Sequence, residues 1–356
     1  MLFRSVGALT AAQLGSLSTT QVSGLEATDI TALSATQFDG LTATQLGAFS
    51  AAQVAALSTT QIGQLTSTQI DGLGSTQVKN LTATQIAALT TTQLNGLSIT
   101  QFGHLTATQV GALTSTQVGS ISETQIAELT AAQVTGLETT DIAALTVAQV
   151  SSLTATQLTA LSATQIGAFE ATDIAGFTTT QLDSFGATQI QGLTVTQVAA
   201  LTDTQVGSLT STQVAAFETT DLAALSTTNT ALLTETQIGG LSATQIGALT
   251  ESQIGALTAT QIGALTPTQI QGLETTNIAG LTVTQFGGLT ATQINALDAQ
   301  DLAALTATHI SALTTTQLVG ITATQIAALT TTQIEGASIT TIDALTTTQK
   351  IGRAHV

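Results

Sequence analysis

From Leu9 onward the chain repeats a pattern of eight. A large apolar residue is followed by a small hydroxyl residue, two small or polar residues, Gln and a second large apolar residue. Two variable positions close the unit, usually on Ala or Gly, as in LTATQLGA (41–48) and LSATQIGA (241–248). Leu9 to Gly352 holds 43 such octads without an insertion. Position 1 is Leu, with a few Phe or Ile and Ala337; position 6 is Ile, Val, Leu or Phe except at Thr230 and Lys350. Position 2 is Ser or Thr in 35 octads and position 5 is Gln in 34.

This spacing predicts a helix start in every octad. With position 2 as N-cap, position 5 is the third helical residue. A Ser or Thr followed three residues later by Gln is a capping box, and apolar residues at positions 1 and 6 form the hydrophobic staple around it. The only proline, Pro267, stands at position 3, the first helical residue, where no N–H is needed. Gly74 and Gly186 at position 2 are acceptable caps. Of the 21 acidic residues, 15 lie at positions 2, 3 or 5, in the first turn, where the helix dipole favours them. The eight Phe after Phe3 all fall at positions 1 or 6.

A continuous helix is excluded, because an eight-residue period drifts the apolar stripe by about 80° per repeat. The chain is read as an all-α, elongated solenoid of very short capped helices over positions 3–7, with turns through positions 8 and 1. Such helices are too short to stand alone and must stack on one another. Two octads per coil would give antiparallel pairs, but the spelling does not fix that number. The alternative is a β-solenoid, favoured by abundant Thr, Ile and Val. It must bend to bury positions of opposite parity, and it leaves the Ser/Thr–Gln pairing without a reason.

Composition narrows the function. The net charge is −17 with four Lys and Arg, which opposes nucleic acid or an anionic membrane as partner. No apolar run reaches the ~20 residues of a membrane span. There is no Cys, so neither disulfides nor thiolate metal sites exist. His104, His309 and Lys79 stand without ligand-spaced partners. Six octads carry Glu or Asp at position 2, always with Asp or Asn at position 5: Glu26/Asp29, Glu138/Asp141, Glu170/Asp173, Glu218/Asp221, Glu274/Asn277 and Asp298/Asp301. Sparse Ca²⁺ sites are one reading of these pairs; a repeat subtype copied by duplication, with too few oxygens per pair to hold an ion, is the other. No residue is assigned a catalytic, cofactor-binding or metal-binding role, and the chain is expected not to be an enzyme.

The ends depart from the repeat. Leu2–Ser5 back-translates to CTC TTC CGA TCT. Its reverse complement, shifted by one base, encodes Lys-Ile-Gly-Arg, the residues 350–353. Both ends thus resemble one short-read sequencing adaptor read in opposite directions. Residues 1–5 and 350–356, His355 included, are therefore expected to be adaptor artefact, and 6–349 a single repeat solenoid cut from a longer protein.

The L-[ST]-x-T-Q-[IV]-x-[AG] octads resemble the long, acidic, Cys-free repeat regions of large bacterial surface and secreted adhesin-like proteins. That resemblance implies a non-catalytic spacer, stalk or adhesive region, extracellular or at the cell surface; the partners expected are an unidentified protein or surface ligand, or further copies through end-to-end or lateral self-association. LTPTQI (265–270) is similar to the helix start of TAL-effector repeats, but the rest of that unit is missing and no DNA-reading role follows. The other expected function is ice binding, with Thr-x-Thr pairs at positions 2 and 4 arrayed on a β-solenoid.

Overall fold

The computed structural model describes residues 6–354. The N-terminal adaptor-like residues 1–5 lie outside the described residues, as do His355 and Val356. A 3₁₀ turn at Val6–Ala8 is followed by 43 α-helices, one per octad, and among the described residues there is no strand. The helices run four to six residues, apart from Thr347–Ala354, which takes in Lys350 and the tail as far as Ala354. Each begins at position 3, and all but that last one end at position 6, 7 or 8. The β-solenoid is thereby overturned, and the flat Thr-x-Thr array with it: the position 2 hydroxyls are turned onto their own helix starts.

One octad shows the local construction. Thr82 is extended (φ −73°, ψ 159°). Its hydroxyl accepts from the Gln85 N–H at 3.2 Å, and Gln85 Oε1 accepts from the Thr82 N–H at 2.7 Å. Two N–H groups that a helix start leaves orphaned are thus satisfied. After one turn the chain is closed off by position 1 of the next octad, whose N–H donates to the position 6 carbonyl, as from Leu89 to Ile86 at 3.1 Å. No described residue, glycine included, has a positive φ. The glycines of position 8 are therefore not there to make a left-handed turn.

The chain divides into two compact units between Phe177 and Thr178, built alike. In the first, helix Ala43–Gly47 packs on Ser67–Gly72; in the second, Val195–Ala199 packs on Thr219–Ala224. Neighbours in space are thus three octads apart. A coil holds between three and four octads, not two, and each unit is a solenoid rather than a row of antiparallel pairs. Inside it, position 6 is sealed (Ile62 and Ile246, 0% exposed) and position 1 nearly so (Leu57 and Leu241, 4%). Phe169 and Phe177 meet edge to face at 5.5 Å within this core.

Glycine sets how closely coils approach. A Cβ on Gly72 would lie 2.6 Å from the Cα and carbonyl carbon of Ala43, and one on Gly288 would lie 2.5 Å from the Ala259 oxygen. The same pairing of a position 8 Gly with a position 3 Ala 29 residues earlier recurs at Ala11/Gly40, Ala107/Gly136 and Ala243/Gly272. With larger position 3 residues the approach is looser: opposite Ser67, a Cβ on Gly96 would meet nothing from the earlier octad within 4 Å, and opposite Ser211 one on Gly240 would lie 3.3 Å from the Ser211 oxygen.

Candidate functional site

The feature repeated from coil to coil is the position 5 glutamine. Its Oε1 is committed to its own helix start; its Nε2 points the other way, into the preceding coil. Gln45 Nε2 donates to the carbonyls of Leu14 (2.9 Å) and Leu17 (2.8 Å), 31 and 28 residues back. Gln85 does the same to Val54 (2.8 Å) and Leu57 (2.7 Å), and in the second unit Gln253 to Leu222 and Leu225 (2.8 Å each). These carbonyls flank the turn between two earlier octads. One side chain therefore caps a helix and ties its coil to the turn beneath. Gln13 and Gln21, which have no described coil beneath them, are exposed, whereas Gln45, Gln53 and Gln85 are buried.

The sequence reading identified the cap and missed the tie. A signal was present: capping boxes accept Glu or Gln, yet Glu never occupies position 5 here. Only Gln has a donor on the far side of its acceptor.

The exceptions follow the same geometry. Asn is one methylene short. Asn229 Nδ2 reaches the Leu201 carbonyl at 2.9 Å, but Asn229 Oδ1 is buried without a hydrogen-bond partner. In the same octad Thr230, fully buried at a position meant for a hydrophobe, donates its hydroxyl to the Ser226 carbonyl at 2.9 Å. His309 replaces both functions of Gln. Its Nδ1 accepts from the Thr306 N–H at 3.2 Å and its Nε2 lies 2.9 Å from the Leu281 carbonyl, so the proton belongs on Nε2. His104 is exposed, with Nδ1 2.7 Å from the Thr100 carbonyl of its own helix, and Lys79 is an exposed residue in the last turn of its helix.

Asp keeps the cap but has no donor for the carbonyls beneath. Asp141, Asp173 and Asp221 accept from the N–H groups of Glu138, Glu170 and Glu218 at 3.0 Å, and each is buried. The glutamates are exposed and make no cap hydrogen bond; nothing in the structure explains why they accompany the aspartates. Burial raises all three Asp carboxyls above their ordinary value. The accepted N–H pulls them down and the neighbouring Glu charge adds to the rise; the Ser115 hydroxyl lowers Asp141 further. Asp301 accepts from the Thr275 hydroxyl at 2.8 Å, and Asp298 caps its own helix. Among the described residues no three of His, Asp and Glu come together in a way that would hold a metal ion, and no helix is long and apolar enough to cross a membrane.

No curated protein matches the chain. Among solved structures, the leucine-rich repeat-containing protein LegL7 from Legionella pneumophila aligns with 68% of this chain and 79% of its own at 11% identity. Its TM-score is 0.18, so that likeness carries no weight. A family model for the ALTTAQ repeat matches residues 22–59, 54–83, 134–171, 166–203, 214–251 and 294–331. The six letters of that description are positions 8 to 5 of the octad, as in Ala8–Gln13, ALTAAQ. With more than half of its length matched, the chain belongs to the ALTTAQ repeat family.

Proposed function

We propose that the chain is a non-catalytic spacer, stalk or adhesive repeat region of a larger bacterial surface or secreted protein. The observation that carries this reading is the use of side chains. Positions 1, 2, 5 and 6 are consumed in building and joining coils. What remains outside, at positions 3, 4 and 7, is mostly Ala, Thr, Ser and Gly, with few charges and no converging reactive groups. A surface of that kind separates what lies at its ends without chemistry of its own. The test is to display the chain between a surface anchor and a fluorescent tag, and to measure the height of the tag. Removing whole octads is expected to lower the tag in proportion to the number removed. A height that does not respond to octad number sinks the spacer reading.

A further inference from the structure

At the coil junctions described within each unit, Gln directs a donor at the position 1 carbonyl of the coil beneath, as Gln85 does to Leu57 and Gln253 to Leu225. At Asp141, Asp173 and Asp221 the side chain ends in two acceptors instead. Among the described residues no protein donor reaches the corresponding carbonyls of Leu113, Leu145 and Leu193. We propose that these three octads are proton-operated joints: when its carboxyl takes up a proton, each Asp donates to the carbonyl beneath and ties its coil as Asn229 does.

The reach is available. Asn has the length and branching of a protonated Asp. At the same position its Nδ2 lies 2.9 Å from the Leu201 carbonyl at Asn229, and 3.5 Å from Leu249 at Asn277. Asn277 even sits in an octad of the same subtype, behind Glu274. Asn229 makes this bond with its Oδ1 left without a partner, so a protonated Asp reaches the carbonyl by exchanging the cap N–H for the tie. The exposed Glu138, Glu170 and Glu218 are the charged groups on the same helices. The helices packed on Asp141 (Ser115–Ser120 and Ala163–Ile166), on Asp173 (Val147–Ser152) and on Asp221 (Val195–Ala199 and Ala243–Gly247) carry no charged residue. No cation is there to hold the carboxylates ionised.

The sign follows from linkage. Carboxyls raised above their unfolded values bind more protons in the folded chain, so stability rises as pH falls through the folded value toward about 3.9, and is lost as pH climbs back. Each unit of elevation makes the folding equilibrium tenfold more favourable per group.

The experiment is urea unfolding of the whole chain, followed by circular dichroism at pH 7 and at stepwise lower pH to about 4.5. The wild-type midpoint is expected to rise on acidification. The triple variant D141N/D173N/D221N is expected to start above wild type at pH 7 and to lose most of the rise. Neutralising three exposed acids instead, in D39N/D71N/D183N, is expected to leave the rise in place, which separates the joints from relief of net charge. Two results would overturn the proposal: a wild-type midpoint that falls on acidification, or a buried-Asp triple variant with the same pH response as wild type.

Discussion

At the scale of single residues the fold depends on the length of one side chain. Gln spans from its own N-cap amide to the carbonyls of the coil beneath; Asp caps but carries no donor for those carbonyls, and Asn229 reaches a carbonyl but not the cap. In Gln85→Glu the contact to the Thr82 N–H survives, but a charge is set against the carbonyls of Val54 and Leu57. That change is expected to destabilise by roughly 2 kcal/mol or more in urea unfolding. Gln13→Glu, exposed and with no coil beneath, is expected to fall within about 0.5 kcal/mol of wild type. A capping box alone predicts no difference between them. The converse change repairs a defect. Asn229→Gln supplies a partner for the Ser226 N–H while keeping the Leu201 carbonyl bonded, and is expected to raise stability by about 1 kcal/mol.

The helices themselves were legible in the sequence, because everything that starts them is local. Position 2 as cap, positions 1 and 6 as core and Pro267 at the first helical residue all stand as read. Proline scanning tests the boundary. Thr139→Pro places the ring at the first helical position, after a residue already extended (Glu138, φ −78°, ψ 164°), and is expected to be tolerated. Ala143→Pro removes the N–H that donates to the Thr139 carbonyl at 3.0 Å and is expected to cost about 3 kcal/mol or more. Helix packing was not legible, because its determinants lie 28 to 31 residues apart and look like ordinary variation at positions 3 and 8. The glycines make this measurable. Gly72→Ala drives a methyl into the Ala43 backbone and is expected to destabilise, whereas Gly207→Ala meets nothing within 4 Å. The second is expected to gain up to about 1 kcal/mol from helix propensity. Thermal unfolding of the two variants in parallel separates them by sign.

For the molecule as a whole, the number of octads per coil was the quantity the spelling left open. The staple and cap would be the same whether the next coil lay two octads away or four. It is fixed by the reach of Gln and by how close two backbones can come, both of which act across coils. The same property makes a prediction about length. The tie from Gln is set by distance along the chain, not by recognition of a particular octad. Deleting Leu81–Ala88, which interrupts none of the Ala–Gly close approaches described above, is expected to leave a folded chain. Gln93 would then donate to Val54 and Leu57 in place of Ile62 and Leu65. Deleting only Leu81–Thr84 breaks the octad register and is expected to unfold the surrounding coils. Hydrogen exchange on the two deletion variants distinguishes these outcomes.

A gene that encodes such a chain is free to stutter. Unequal crossing-over or polymerase slippage between near-identical octad codons adds or removes whole units. Each product of such an event keeps the tie of every Gln octad it retains, since Gln bonds whatever turn lies the right number of residues behind it. Under the proposed spacer role, selection then acts on reach rather than on misfolding, and lineages can differ in octad number as freely as they differ in a surface side chain.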